Sequence, residues 1–162
     1  MSPIDWAKRP LQKYAEFNGR APRAEYWWYT LGIIVAAIVL NIVESLLGLS
    51  GMVGPYGPLS ALCMLALLVP GVAVTVRRLH DTNRSGWWIL VAVVPYAILG
   101  FMMARSAGST DLSGLAAVSL FGIIALIGGL VLLVFMLLAG NPGDNRYGPD
   151  PYAGGTASSA TG

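Results

Sequence analysis

Charge is what this sequence is shortest of. Only 11% of its 162 residues are Asp, Glu, Lys or Arg, against 56% that are hydrophobic, and the mean hydropathy is +0.65. An ordinary soluble domain carries about 25% charge. Too little polar surface remains to coat a globule in water. That excludes a soluble single-domain enzyme, a disordered chain and a nucleic-acid-binding domain, and a polytopic membrane protein is left. The net charge of +2 offers no large field for nucleic acid. One cysteine, Cys63, makes no intrachain disulfide. One histidine, His80, beside one cysteine cannot build a Cys/His zinc site, so no metal and no cofactor is expected.

What is abundant is long apolar sequence. Crossing about 30 Å of hydrocarbon takes roughly 20 helical residues. Four stretches qualify: 26–47, 59–76, 87–104 and 115–139. Helices are the expected form, because an open strand in lipid leaves its backbone groups unpaired. The first stretch exceeds the h-region of a cleavable leader and is followed by no A-x-A-like site, so it is read as a retained helix. The expected fold is an all-α membrane protein: a four-transmembrane-helix bundle over 26–139, with both termini cytoplasmic. Residues 1–25 form an N-terminal interfacial segment, 140–152 a cytoplasmic cap motif, and 153–162 a disordered tail.

Orientation comes from Lys and Arg between the spans. With both termini inside, nine basic residues are cytoplasmic and one, Arg105, is outside. The aromatic groups Tyr26-Trp27-Trp28-Tyr29 and Trp87-Trp88 fall at the same cytoplasmic level. Before the first span, residues 3–17 read as a short surface helix with Ser2 as N-cap and Pro3 at its first position; Pro10 is expected to break or kink it. Lys8, Arg9 and Lys13 would face anionic headgroups. Asp111 and Ser113 are candidate caps for the last span, and Pro55, Gly57 and Pro58 look like turn residues.

Nearly all the polar information sits in three inward segments. They are Phe17-x-Gly19-Arg20-x-x-Arg23-x-Glu25-Tyr26-Trp27, then Arg77-Arg78-Leu79-His80-Asp81-Thr82-x-Arg84-Ser85-Gly86-Trp87-Trp88, and finally Gly140-x-Pro142-Gly143-x-Asn145-Arg146-Tyr147-Gly148-x-Asp150-Pro151. Together these resemble the domain of unknown function 805 family of small bacterial inner-membrane proteins, over roughly residues 5 to 152. The resemblance implies a multi-pass protein of the bacterial cytoplasmic membrane and brings no catalytic residues. Pro22 stands where a small hydroxyl residue is expected, and Asn83 where glycine is expected. Asn tolerates positive φ, so the turn is expected to survive.

Much of the central motif is what a tight re-entry turn needs. Arg77 and Arg78 suit a helix C-terminus, Asp81-Thr82-Asn83 an Asx-type turn, and Ser85 an N-cap. The functional reading starts from charge. Six arginines (Arg20, Arg23, Arg77, Arg78, Arg84, Arg146) meet four acids (Glu25, Asp81, Asp144, Asp150); if every acid pairs, two arginines remain. Arg forks onto phosphate as Lys cannot. The candidate network is therefore Arg20, Arg23, Glu25, Arg77, Arg78, His80, Asp81, Arg84, Asn145 and Arg146. Its candidate ligand is an anionic lipid headgroup.

His80-Asp81 lacks the further His ligands of a metal phosphohydrolase, and a general acid-base role for His80 has no visible nucleophile partner. The preferred reading is a non-enzymatic scaffold or adaptor, its partners being the bilayer and either a protein or a second copy of itself. The alternative is a transporter or channel subunit, with spans broken at Pro70-Gly71 and Pro95. Glu44 inside the first span is expected to snorkel to the outer interface. Gly32/Ala36 and Ala125/Gly129 are small-residue pairs for close helix approach.

Overall fold

The computed structural model describes residues 1–53, 56–106 and 112–153. Pro55, Asp111, the side chain of Ser113 and the tail from 154 lie outside the described residues. Five α-helices follow in order: α1 (Pro3–Gln12), α2 (Arg23–Leu46), α3 (Pro58–Asp81), α4 (Leu90–Ser106) and α5 (Leu112–Leu137). A single 3₁₀ turn, Gly86–Ile89, leads into α4. Four helical stretches are long and apolar enough to cross a membrane: Arg23–Leu46, Pro58–Asp81, Gly86–Arg105 and Gly114–Leu137.

The helix ends follow local chemistry. Ser2 caps α1 through a capping box: its hydroxyl accepts from the Asp5 amide at 3.2 Å, and Asp5 accepts from the Ser2 amide at 2.8 Å. α1 ends at Gln12 and passes through Pro10, which is buried inside it rather than breaking it. α3 and α4 likewise run unbroken through Pro70 and Pro95, where the transporter alternative expects breaks. At the end of α3, Asn83 adopts φ +57; the Arg84 amide bonds the Leu79 carbonyl (2.9 Å) and the Asn83 amide bonds that of His80 (3.0 Å). That is a Schellman motif with Asn in the place of Gly. Ser85 caps the 3₁₀ turn by accepting from the Trp87 amide at 3.4 Å.

α4 and α5 form the tight helix pair. A Cβ on Gly128 would strike the Val91 carbonyl, and one on Gly129 would lie 3.0 Å from the Tyr96 hydroxyl. Ala125 is buried. The Ala125/Gly129 pair therefore serves packing within the chain, whereas nothing lies within 4 Å of a Cβ built on Gly32. A partly open groove of about 390 Å³ lies between α2 and α3, lined by residues such as Ile33, Ala37, Met64 and Leu68. Most large apolar side chains on the spans point outward, as a bundle surrounded by lipid requires.

The connection between α2 and α3 corrects the snorkelling expectation. Glu44 is buried and accepts from the Ser60 amide (2.8 Å) and the Ser60 hydroxyl (2.6 Å). The N-cap of α3 is Gly57, which has no side chain to cap with. A carboxylate from α2 does that work instead and favours the amide end of the helix dipole. A Cβ on Gly57 would overlap the Glu44 carboxylate, so a larger residue there would push the carboxylate out of its present position.

Candidate functional site

The largest fully buried side chains include Arg77, Arg78, Glu25 and Asp81, clustered where the three arginine-bearing segments meet. The backbone brings them together. α3 ends with carbonyls that have no partner within the helix. The Asn141 amide bonds the Asp81 carbonyl at 2.7 Å and Asn145 Nδ2 bonds the His80 carbonyl at 3.0 Å; one turn earlier the Ala21 amide reaches the Arg77 carbonyl at 3.0 Å. The end of α3 is thus the post onto which the segments before α2 and after α5 are tied.

Asp81 is the hub. Its carboxylate accepts from Arg20 Nε at 3.0 Å and from Arg78 Nη1, and all three side chains are essentially inaccessible. The Asp81 side chain is therefore committed to arginine and does not form the expected Asx turn; Thr82 donates its hydroxyl back to the Leu79 carbonyl (2.9 Å). Arg20 spends its other nitrogens on the Gly143 and Asn141 carbonyls, each at 2.6 Å. Gly140 is required beside Asp81, because any Cβ would overlap the carboxylate.

Arg78 also donates to the Leu138 carbonyl, and Arg23 Nε reaches the same oxygen at 2.8 Å. α5 has no basic residue in its own last turn. Arginines from α3 and α2 supply the cations that its C-terminal carbonyls favour.

A second pair lies one helix away. Arg77 Nη1 donates to Glu25 at 2.5 Å, and Arg9 Nε lies 3.5 Å from the other Glu25 oxygen. Arg77 Nε and Nη2 are buried without a hydrogen-bond partner, as is Glu25 Oε2.

His80 and Asp81 do not act on one another. The His80 ring stacks on Tyr147 (centroids 3.9 Å apart, planes 3° apart), and its Nδ1 lies 3.2 Å from the Gly19 carbonyl. Asn145 Oδ1 accepts from the Tyr147 amide at 2.9 Å and so fixes that ring. Arg146 donates to the Asn83 carbonyl at 3.3 Å and lies over the Tyr147 ring. Arg84 donates to the Thr82 carbonyl at 3.2 Å and lies 4.3 Å over the Phe135 ring.

The pairing arithmetic differs from the sequence expectation. Among the described residues, Asp144 and Asp150 form no ion pair with arginine. Asp144 accepts from the Asp150 amide, and Asp150 from the Tyr152 and Gly143 amides, each at 2.9 Å. Those amides, the Tyr152 one foremost, hold the Asp150 carboxyl below its ordinary pKa. Glu25 and Asp81 instead take two arginines apiece, with Arg9 recruited from α1. Among the described residues, Arg23, Arg84 and Arg146 have no carboxylate partner. Arg9, Gly140, Tyr147 and Tyr152 were outside the predicted site. Gly140 and Tyr147 fall within the third motif, but nothing in the sequence says what they touch.

A family profile described as "Protein of unknown function (DUF805)" matches residues 14–149. The chain is 34% identical to the inner membrane protein YhaH of Escherichia coli K12, covering 91% of this chain and 97% of that one. It is 37% identical to the inner membrane protein YhaI of the same organism (93% and 98% covered). The uncharacterized protein YiiR is 31% identical, over 83% and 84%. No solved structure matches the chain. The names of the first two relatives and the four spanning-length helices agree on a multi-pass protein of the inner membrane.

Proposed function

The chain belongs to the DUF805 family of small membrane proteins, and from that premise we propose a non-enzymatic membrane scaffold. Its arginine-bearing cap lies on the cytoplasmic face and binds anionic lipid headgroups. Both termini are cytoplasmic in this reading. The excess of nine Lys and Arg residues over one supports that orientation. α1 lies in the interface, with Lys8 exposed and the apolar Ile4 and Leu11 uncovered.

One observation carries the proposal: the cap uses four arginines to neutralise two buried carboxylates and leaves Arg23, Arg84 and Arg146 without a carboxylate among the described residues. Arg23 and Arg146 are exposed, and Arg84 is half-buried beside the exposed Trp87. Cations and indole rings at one level suit the inner headgroup layer.

Two measurements test the reading. Reporter fusions at both ends fix the orientation, and a non-cytoplasmic terminus overturns it. Co-purified lipid identifies the ligand. Enrichment of phosphatidylglycerol over phosphatidylcholine is the expected result. A stoichiometric protein partner that leaves on Arg84→Gln, without lipid enrichment, replaces lipid with an adaptor role.

A further inference from the structure

An open cleft of about 410 Å³ lies between the start of α2 and the residues after α5, lined by Arg23, Ala24, Ala139, Gly140 and Tyr152. No carboxylate lines it. Its two functional side chains are oriented by contacts on their far sides. Arg23 Nε is spent on the Leu138 carbonyl at 2.8 Å, which fixes the guanidinium while its terminal nitrogens meet no carboxylate. The Tyr152 hydroxyl oxygen accepts from the Arg23 amide at 3.2 Å, so its proton is free to be donated elsewhere.

Arg23 and Arg78 converge on the same Leu138 oxygen. Asp81 balances Arg78; no described carboxylate balances Arg23. The cleft is open and mainly apolar, with one guanidinium and one hydroxyl proton as its side-chain donors.

We propose that this cleft seats a phosphate group, with Arg23 donating to its non-ester oxygens and Tyr152 adding a hydrogen bond. The inference rests on the headgroup reading above and narrows it to one seat. The source is either an anionic phospholipid of the adjoining leaflet or free phosphate, because both present the same oxygens.

The full-length chain, purified in detergent, is offered equal phosphatidylglycerol and phosphatidylcholine, and retained lipid is read by native mass spectrometry. A parallel sample receives inorganic phosphate alone, followed by phosphorus NMR line broadening. Phosphatidylglycerol is expected to be enriched. Tyr152→Phe, which keeps the ring, lowers the enrichment about tenfold, the size of one hydrogen bond to a charged group. Arg23→Gln abolishes it, and Arg105→Gln at the far end of α4 leaves it unchanged. Equal unfolding midpoints for wild type and Tyr152→Phe show that the loss is not misfolding. Broadening that depends on Arg23 without lipid enrichment supports the seat and assigns it to free phosphate.

Enrichment that survives both Arg23→Gln and Tyr152→Phe overturns the seat. If it then falls in Arg84→Gln or Arg146→Gln, the headgroup reading stands elsewhere on the cap. Neither enrichment nor broadening in the wild type overturns both.

Discussion

Replacing Asp81 with Asn removes one charge and almost no volume, so the loss it causes reports the electrostatics of the cap rather than a cavity. The carboxylate is wholly inaccessible and lies between two guanidinium groups that are themselves buried. Asn keeps one oxygen for one arginine and turns an N–H₂ group toward donors. One arginine is left facing a donor in a buried site, and no described carboxylate is near enough to replace the one lost. Removing one partner of a buried pair costs about 3–5 kcal/mol, a hundredfold or more in the folding equilibrium. The loss should spread, because Arg20 also carries the Gly143 and Asn141 carbonyls and Arg78 carries Leu138.

Equilibrium unfolding in mixed detergent micelles measures the cost. Arg20→Gln alone should also destabilise, and the double variant with Asp81→Asn should lose clearly less than the two single losses combined, since both remove one interaction. Asp81→Asn within about 1 kcal/mol of wild type, the range of an exposed pair, would refute the argument that this hub holds the cap.

Three further outcomes follow from other elements. Glu44→Ala strips α3 of its cap and strands the Ser60 amide and hydroxyl, a loss of about 1–3 kcal/mol on unfolding; Glu44→Gln, which keeps one acceptor, should lose less, and equal losses would contradict the capping role. Asn83→Val forces a β-branched residue to φ +57 and should cost about 1–2 kcal/mol, while Asn83→Gly is neutral or better; a harmless valine would show that the turn rearranges. Asp150 is held below its ordinary pKa, so its grip on the loop is present above the unfolded value and is lost as pH falls through the lower folded one. The Gly143 and Tyr152 amide shifts should therefore titrate with a midpoint below about 3.9, and a midpoint at or above that value would remove the proposed hold.

The spans were legible because hydrocarbon imposes one length and one composition, and both can be counted in the sequence. Their ends were less so. The second span reads as stopping at residue 76, with Arg77 and Arg78 at the helix C-terminus and Asp81 in a turn, because charged residues in an apolar chain mark a boundary. The helix nevertheless runs on to Asp81, since arginines and a carboxylate from other segments neutralise one another there. Glu44 was misplaced for a related reason. Its partner is the bare start of the next helix, sixteen residues away, and no local pattern announces a cap supplied from a distance. Meeting of the three arginine-bearing segments was inferable from orientation, because segments on one face have little else polar to touch. Which acid takes which arginine was not. Counting assumes one carboxylate per guanidinium, but burial selects the acids: Glu25 and Asp81 lie on the helices and take two arginines each, while Asp144 and Asp150 lie in a loop rich in unpaired amides and take those instead. The spare cations at the cap are thus set by where the backbone leaves N–H groups uncovered, a quantity that exists only once the chain has folded.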